Sequence, residues 1–143
     1  MHIKQLLRRK GSDVATVEAT VSVRDALTLL AEHGVGALVV SADGRQIDGI
    51  VSERDIVRAL HERGGGLLAD PVSSVMTARV HTCPPSAGVE ELARTMTDHR
   101  VRHVPVVEGD VLIGIVSIGD VVKARLDELE EERAKLVDYI QTV

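Results

Sequence analysis

Apolar residues recur along this chain in two blocks of matching order. Ile3, Leu6 and Leu7 have helical spacing, and the basic stretch 8–13, with Gly11 inside it, ends that short helix. Residues 14–19 read as a short extended segment. Val23, Ala26, Leu27, Leu30 and Ala31 make one apolar stripe of a helix that Thr20 or Ser22 can cap and Gly34 closes. Residues 35–40 are apolar throughout, the pattern of a strand covered on both faces. Asp43-Gly44 turns the chain, residues 47–51 return as the hairpin partner, and Ser52 opens a helix carrying Ile56, Val57 and Leu60. Gly64-Gly65-Gly66 stops it.

After a linker at 67–71 the order repeats. Val72, Val75 and Met76 have the spacing of Ile3, Leu6 and Leu7, and Val80-His81-Thr82-Cys83 matches Val14-Ala15-Thr16-Val17. Ser86 is placed to cap a helix with Val89, Leu92, Ala93 and Met96 on one face. Residues 101–106 form the central strand again, Glu108-Gly109-Asp110 the turn, and 111–116 the return. The expected fold is α/β (α+β): two β-α-β-β-α repeats, 1–66 and 67–126, packed sheet to sheet with pseudo-twofold symmetry. Two copies of this length are not a solenoid of short repeats. Beyond them, in the tail 127–143, the pattern changes to a helix. From Val122 onward, Leu126, Leu129, Leu136, Ile140 and Val143 fall on alternating steps of four and three, with Arg133 at the missing place. That a/d seam predicts packing against a second copy or against the folded core.

Composition narrows the partners. Tyr139 is the only aromatic residue of 143, so the chain lacks the stacking platform of a single-strand nucleic-acid reader. A net charge of −5 also opposes a polyanionic backbone. No apolar run approaches the ~18 residues of a spanning helix. The polar start Met1-His2-Ile3-Lys4-Gln5 lacks a signal core, and the single Cys83 fits a reducing cytoplasm. These features predict a soluble cytoplasmic protein without nucleic-acid or membrane partners.

The candidate chemistry is a motif written twice: Gly49-Ile50-Val51-Ser52-Glu53-Arg54-Asp55 and Gly114-Ile115-Val116-Ser117-Ile118-Gly119-Asp120. Serine ends a strand and aspartate lies in the first turn of the helix that follows. Ser52 with Asp55 is close to a capping box, which alone would account for both residues. The same geometry also suits a ligand. A helix start favours a phosphate, the serine adds a hydroxyl, and the aspartate can accept two hydrogen bonds from a ribose diol. The apolar strand 101–106 would then offer a slot for a flat base.

Both copies of the motif, together with Arg102-His103-Val104-Pro105-Val106-Val107 and Val75-Met76-Thr77, make residues 1–126 resemble a tandem CBS-domain pair. The resemblance implies clefts between the repeats that bind AMP, ADP or ATP, less often S-adenosylmethionine or NAD-type molecules. It further implies a homodimer and a regulatory output to an effector protein acting in trans. Carried onto this sequence, it assigns Asp55 and Asp120 to ribose, Ser52 and Ser117 to the adjacent hydroxyls, and Thr16 and Thr82 to ribose or phosphate. His103, Val104 and Pro105 become the base-flanking strand, Ala37, Leu38 and Val39 its first-copy counterpart, and Arg54 a phosphate contact. The second copy has Ile118-Gly119 where the first has Glu53-Arg54, so Gly119 offers close backbone approach and Arg100 and Arg102 are candidates to replace the missing charge.

His81, Cys83, His99 and His103 lack the regular spacing of a zinc site, and no base stands beside Cys83 to make it a nucleophile. The repeated serine and aspartate suit binding, not catalysis, so no enzyme, metal or required cofactor is expected. The rival expectation is a scaffold that binds no small molecule and acts by dimerising through its C-terminal helix.

Overall fold

The computed structural model describes residues 1–142, so the last seam position, Val143, lies outside the described residues. The elements run α1 (Ile3–Lys10), β1 (Thr16–Val17), α2 (Val23–His33), β2 (Ala37–Val40), β3 (Gly49–Ser52) and α3 (Glu53–Arg63). Two 3-10 turns follow, Gly65–Ala69 and Val72–Ser74, then α4 (Val89–His99), β4 (His103–Glu108), β5 (Val111–Ser117) and α5 (Ile118–Thr142). Local chemistry explains the boundaries. Ser22 accepts the Asp25 amide and starts α2, and Gly34 ends it in a left-handed conformation. Gly109 and Asp110, both with positive φ, give the β4–β5 hairpin its tight turn. Ser86 does not cap α4: the N-cap is Gly88, with no side-chain bond. After Pro71 the chain makes only the 3-10 turn Val72–Ser74, with Val75 at its end and Met76 beyond it, not a second copy of α1.

β1, β2 and β3 form one sheet, β1 parallel and β3 antiparallel to the central β2. β4 and β5 form the other, extended by a parallel bridge between Cys83 and Val106. Each sheet has its own hydrophobic core, and the two cores exchange their opening segments. Ile3, Leu6 and Leu7 are buried with Leu92, Val104, Val116 and Val121 of the second repeat. Val72 is buried with Val23, Leu38, Val51 and Ile56 of the first. Fully burying a Leu or Ile is worth ~1.5–3 kcal/mol, so α1 alone ties the two repeats firmly.

Backbone bonds record the exchange twice over. The Val89 amide donates to Met1 O at 3.0 Å and that of Ile3 to Ala87 O at 2.9 Å. In the other half the Val23 amide donates to Asp70 O at 2.9 Å and that of Val72 to Val21 O at 2.8 Å. The motif glycines sit where the exchanged segments cross. A Cβ on Gly49 would lie 2.7 Å from Met76 Sδ, and one on Gly114 would lie 2.8 Å from Leu7 Cδ2. By strand alternation Val39 and Pro105 point away from their own cores, yet both are buried, so each sheet is covered on its second face as well.

α5 meets the core along Val121 and Ala124, and Arg125 pairs with Glu90 at 3.2 Å. Val122, Leu126 and Leu129 occupy another face and are exposed, and from Leu129 to Thr142 every side chain is exposed. Of the two alternatives for the seam, packing against its own core is not what the structure has: the core-facing stripe and the a/d seam are different faces of one helix.

Candidate functional site

The first motif forms its capping box. Ser52 Oγ accepts the Asp55 amide at 3.2 Å, and Asp55 Oδ2 accepts both the Ser52 amide at 2.9 Å and the Ser52 hydroxyl at 3.0 Å. One carboxylate oxygen meets the needs of the helix start; Oδ1 has no hydrogen bond among the described residues. The second motif repeats the arrangement, with Asp120 Oδ2 accepting the Ser117 amide at 2.8 Å and Ser117 Oγ accepting the Asp120 amide at 3.2 Å. Capping is thus real in both copies, and any ligand role is additional to it.

The surroundings of the two motifs differ. Ser52 and Asp55 open onto a cavity of about 900 Å³, within the size range of small-molecule sites. First-repeat residues Gly36, Ile50, Glu53, Arg54, Val57 and Arg58 line it, and the second repeat supplies Arg79, His81, His99, Arg100, Arg102 and His103. Five arginines therefore face two carboxylates in a chain whose net charge is −5. Arg100 lies at the end of α4 in a left-handed conformation (φ +54°), where the first repeat has Gly34. An L-residue is disfavoured there, and here the outlier sits on the cavity wall. A side pocket of about 310 Å³ shares Arg54, Arg100, Val101 and Arg102 with the main cavity.

His103 reaches across the repeat boundary to Gly36, where a Cβ would lie 3.2 Å from His103 Cε1. Burial pushes the imidazole below its usual range, against the pull of Glu53 and Asp120 and with the help of Lys10 and Arg102. Neutral at pH 7, the ring offers one donor and one acceptor. His81 and His99 stack with ring centroids 4.1 Å apart, and no group of three or more metal-binding side chains is gathered among the described residues. Cys83 is buried in the second core; burial, with the nearby Glu91 charge, pushes its thiol up to about 11, so it is not a thiolate at neutral pH.

Of the residues singled out in the sequence, Ser52, Arg54, Asp55 and His103 come together on the cavity wall. Ala37, Leu38, Val39, Val104 and Pro105 are buried in the central strands and are not on that wall. Thr16 pairs with Val39 at the edge of the first sheet, and Thr82 is exposed. Ser117, Gly119 and Asp120 cluster at the start of α5, where Lys10 Nζ reaches Asp120 Oδ2 at 2.6 Å. Burial would raise the Asp120 carboxyl, but Lys10 and the Ser117 amide together hold it below the ordinary carboxylate range. Arg100 and Arg102, weighed as partners of the second motif, serve the cavity of the first. Arg58 and Arg79 have no role in the sequence pattern, and His81 and His99 enter it only as metal candidates set aside for their spacing; Arg79 has a signal, standing three residues after Met76 as Lys10 stands three after Leu7.

Comparison with known proteins identifies the family and the fold. The CBS domain model matches residues 3–62 and again 72–127. The crystal structure of a CBS-domain containing protein from Agrobacterium tumefaciens superposes with a TM-score of 0.84 at 47% identity, covering 87% of this chain and 99% of that one. A CBS domain protein from Pyrobaculum aerophilum, complexed with AMP, gives a TM-score of 0.74 at 31% identity, with 84% and 89% of the two chains covered. Among sequence relatives, the mitochondrial CBS domain-containing protein CBSX3 of Arabidopsis thaliana is 40% identical over 124 residues, which cover 84% of this chain and 60% of that protein.

Proposed function

The chain belongs to the CBS domain family, and from that premise we propose that it is a non-catalytic regulatory module whose first cleft binds an adenine nucleotide carrying a polyphosphate. One observation carries the choice of ligand: Arg54, Arg58, Arg79, Arg100 and Arg102 converge on the cavity that also holds the Ser52–Asp55 pair. Asp55 Oδ1 suits a ribose diol, the α3 start and Ser52 suit the phosphate nearest the sugar, and neutral His103 suits the edge of a base. The AMP complex of the Pyrobaculum relative supports the adenosine part of this reading. The arginines favour more phosphate, and they disfavour S-adenosylmethionine, whose sulfonium is a cation. A thermal-shift series tests the order, since a ligand selective for the folded chain raises its midpoint. ATP should raise it most, then ADP, then AMP, with S-adenosylmethionine least; a larger shift with S-adenosylmethionine than with ATP would reject the polyphosphate assignment.

The uncovered seam supports a homodimer as the form in which the module acts on an effector protein in trans. Leu136 and Ile140 are 63% and 71% exposed, a face that pairing with a second copy would cover. Deleting residues 129–143 leaves the Val121 and Ala124 contacts intact and should shift the mass seen by light scattering from two chains to one. An unchanged mass would assign the dimer to another surface. No helix among the described residues is long and apolar enough to cross a membrane. A cytoplasmic setting suits the single buried thiol, Cys83.

A further inference from the structure

We infer that Lys10 is the resident occupant of the second motif, so that each chain takes one nucleotide at Ser52–Asp55 and reserves Ser117–Asp120 for its own ammonium. The inference rests on the nucleotide reading above. Lys10 Nζ donates to Asp120 Oδ2 at 2.6 Å and to Ile115 O at 2.7 Å, so it bridges the strand and the helix start that make up the second motif. The internal cation sits on the capping oxygen, the one that also accepts the Ser117 amide, so it offsets the charge that would draw a ligand to Asp120 and places an ammonium beside the carboxylate. Lys10 ends α1, which is anchored by buried Ile3, Leu6 and Leu7, so the ammonium is presented from a fixed helix. Less side-chain and segment freedom is lost in forming the contact than a mobile loop would lose.

The first cleft has no such plug. Arg79, at the equivalent place after Met76, makes no hydrogen bond or ion pair among the described residues; it is exposed and lines the open cavity. Lys10 is exposed too, but it is paired with the half-buried Asp120, and the charge pair holds that carboxylate ionised against its burial. The second motif also lacks a guanidinium, with Ile118-Gly119 standing where the first has Glu53-Arg54. One duplicated position thus acts as a free cation beside the first motif and as a paired cation at the second.

Calorimetric titration with ATP separates the possibilities. The whole wild-type chain should take one ATP, and Lys10→Ala two, the second weaker than the first. In amide spectra Ser117 and Gly119 should stay put when the wild type is saturated with ATP and should move in Lys10→Ala. Lys10→Ser gives the same readout if the alanine variant does not fold. Two ATP in the wild type, falling in Lys10→Ala, would make Lys10 a phosphate contact and overturn the assignment while leaving the nucleotide reading intact. One ATP in both chains would also overturn it. No binding to either chain would overturn the nucleotide reading and this inference together.

Discussion

Replacing Arg54 and Arg79 together by alanine is expected to weaken ATP binding roughly 30- to 1000-fold while changing AMP binding only a few-fold. The two side chains come from different repeats and meet on one cavity, with no hydrogen bond or ion pair of their own among the described residues. Each charge-assisted hydrogen bond to a phosphate is worth ~1.5–3 kcal/mol. Both arginines are exposed in the free chain, so solvent screening reduces each to ~1–2 kcal/mol, and two such bonds give ~2–4 kcal/mol in all. AMP, reaching fewer of the arginines, loses little. Equal loss for AMP and ATP, measured by calorimetry at fixed salt, would move the phosphate chain away from this pair.

Gly49→Ala carries the largest expected effect on folding. Its new methyl would lie 2.7 Å from Met76 Sδ, which can swing away, and 2.8 Å from the backbone oxygen of Thr77, which cannot. That oxygen accepts the Ile50 amide at 2.9 Å, while the Thr77 amide returns a bond to Ile50 O at 2.8 Å. The methyl therefore pushes apart the bridge that joins the repeats at the cavity wall. Overpacking of this kind costs ~1–3 kcal/mol, and loss of buried hydrogen bonds adds to it. A total of ~2–4 kcal/mol corresponds to a fall of roughly 10 °C in Tm for a chain of this size. Gly114→Ala meets only the side chain of Leu7, which can rotate, and should cost less than half as much. A smaller loss at Gly49 than at Gly114 would contradict the account of why these glycines occur in the motif.

Much of the fold was legible because its elements declare themselves locally. The stripe Val23, Ala26, Leu30, the hairpin turn at Gly109-Asp110 and the Ser22 cap all follow from spacing and turn chemistry. What lay beyond reach was partnership. Ile3, Leu6 and Leu7 mark an apolar face, but nothing local says that its core belongs to the other repeat. The site shows the same division. Ser52 and Asp55 stand out as a repeated pair, whereas Arg79, Arg100 and Arg102 reach the first cleft only because the opening segments cross. The strand residues Ala37, Leu38 and Val104 have too apolar a pattern to remain on a wall; they are fully spent in the sheets. In the tail, spacing revealed a seam, and only the packed helix showed that Val121 and Ala124, one step round, had already taken the core.

The central claim is that the Ser52–Asp55 pair holds a nucleotide as well as starting a helix. It is tested most directly by titrating ATP into the whole wild-type chain and into Asp55→Asn, which keeps a side-chain oxygen for the cap and removes the charge. The account predicts saturable binding to the wild type and a roughly 10- to 100-fold loss in the variant, the ~1.5–3 kcal/mol of a hydrogen bond to a charged group, with Tm little changed. Equal affinity in the two chains would reduce the motif to a helix cap.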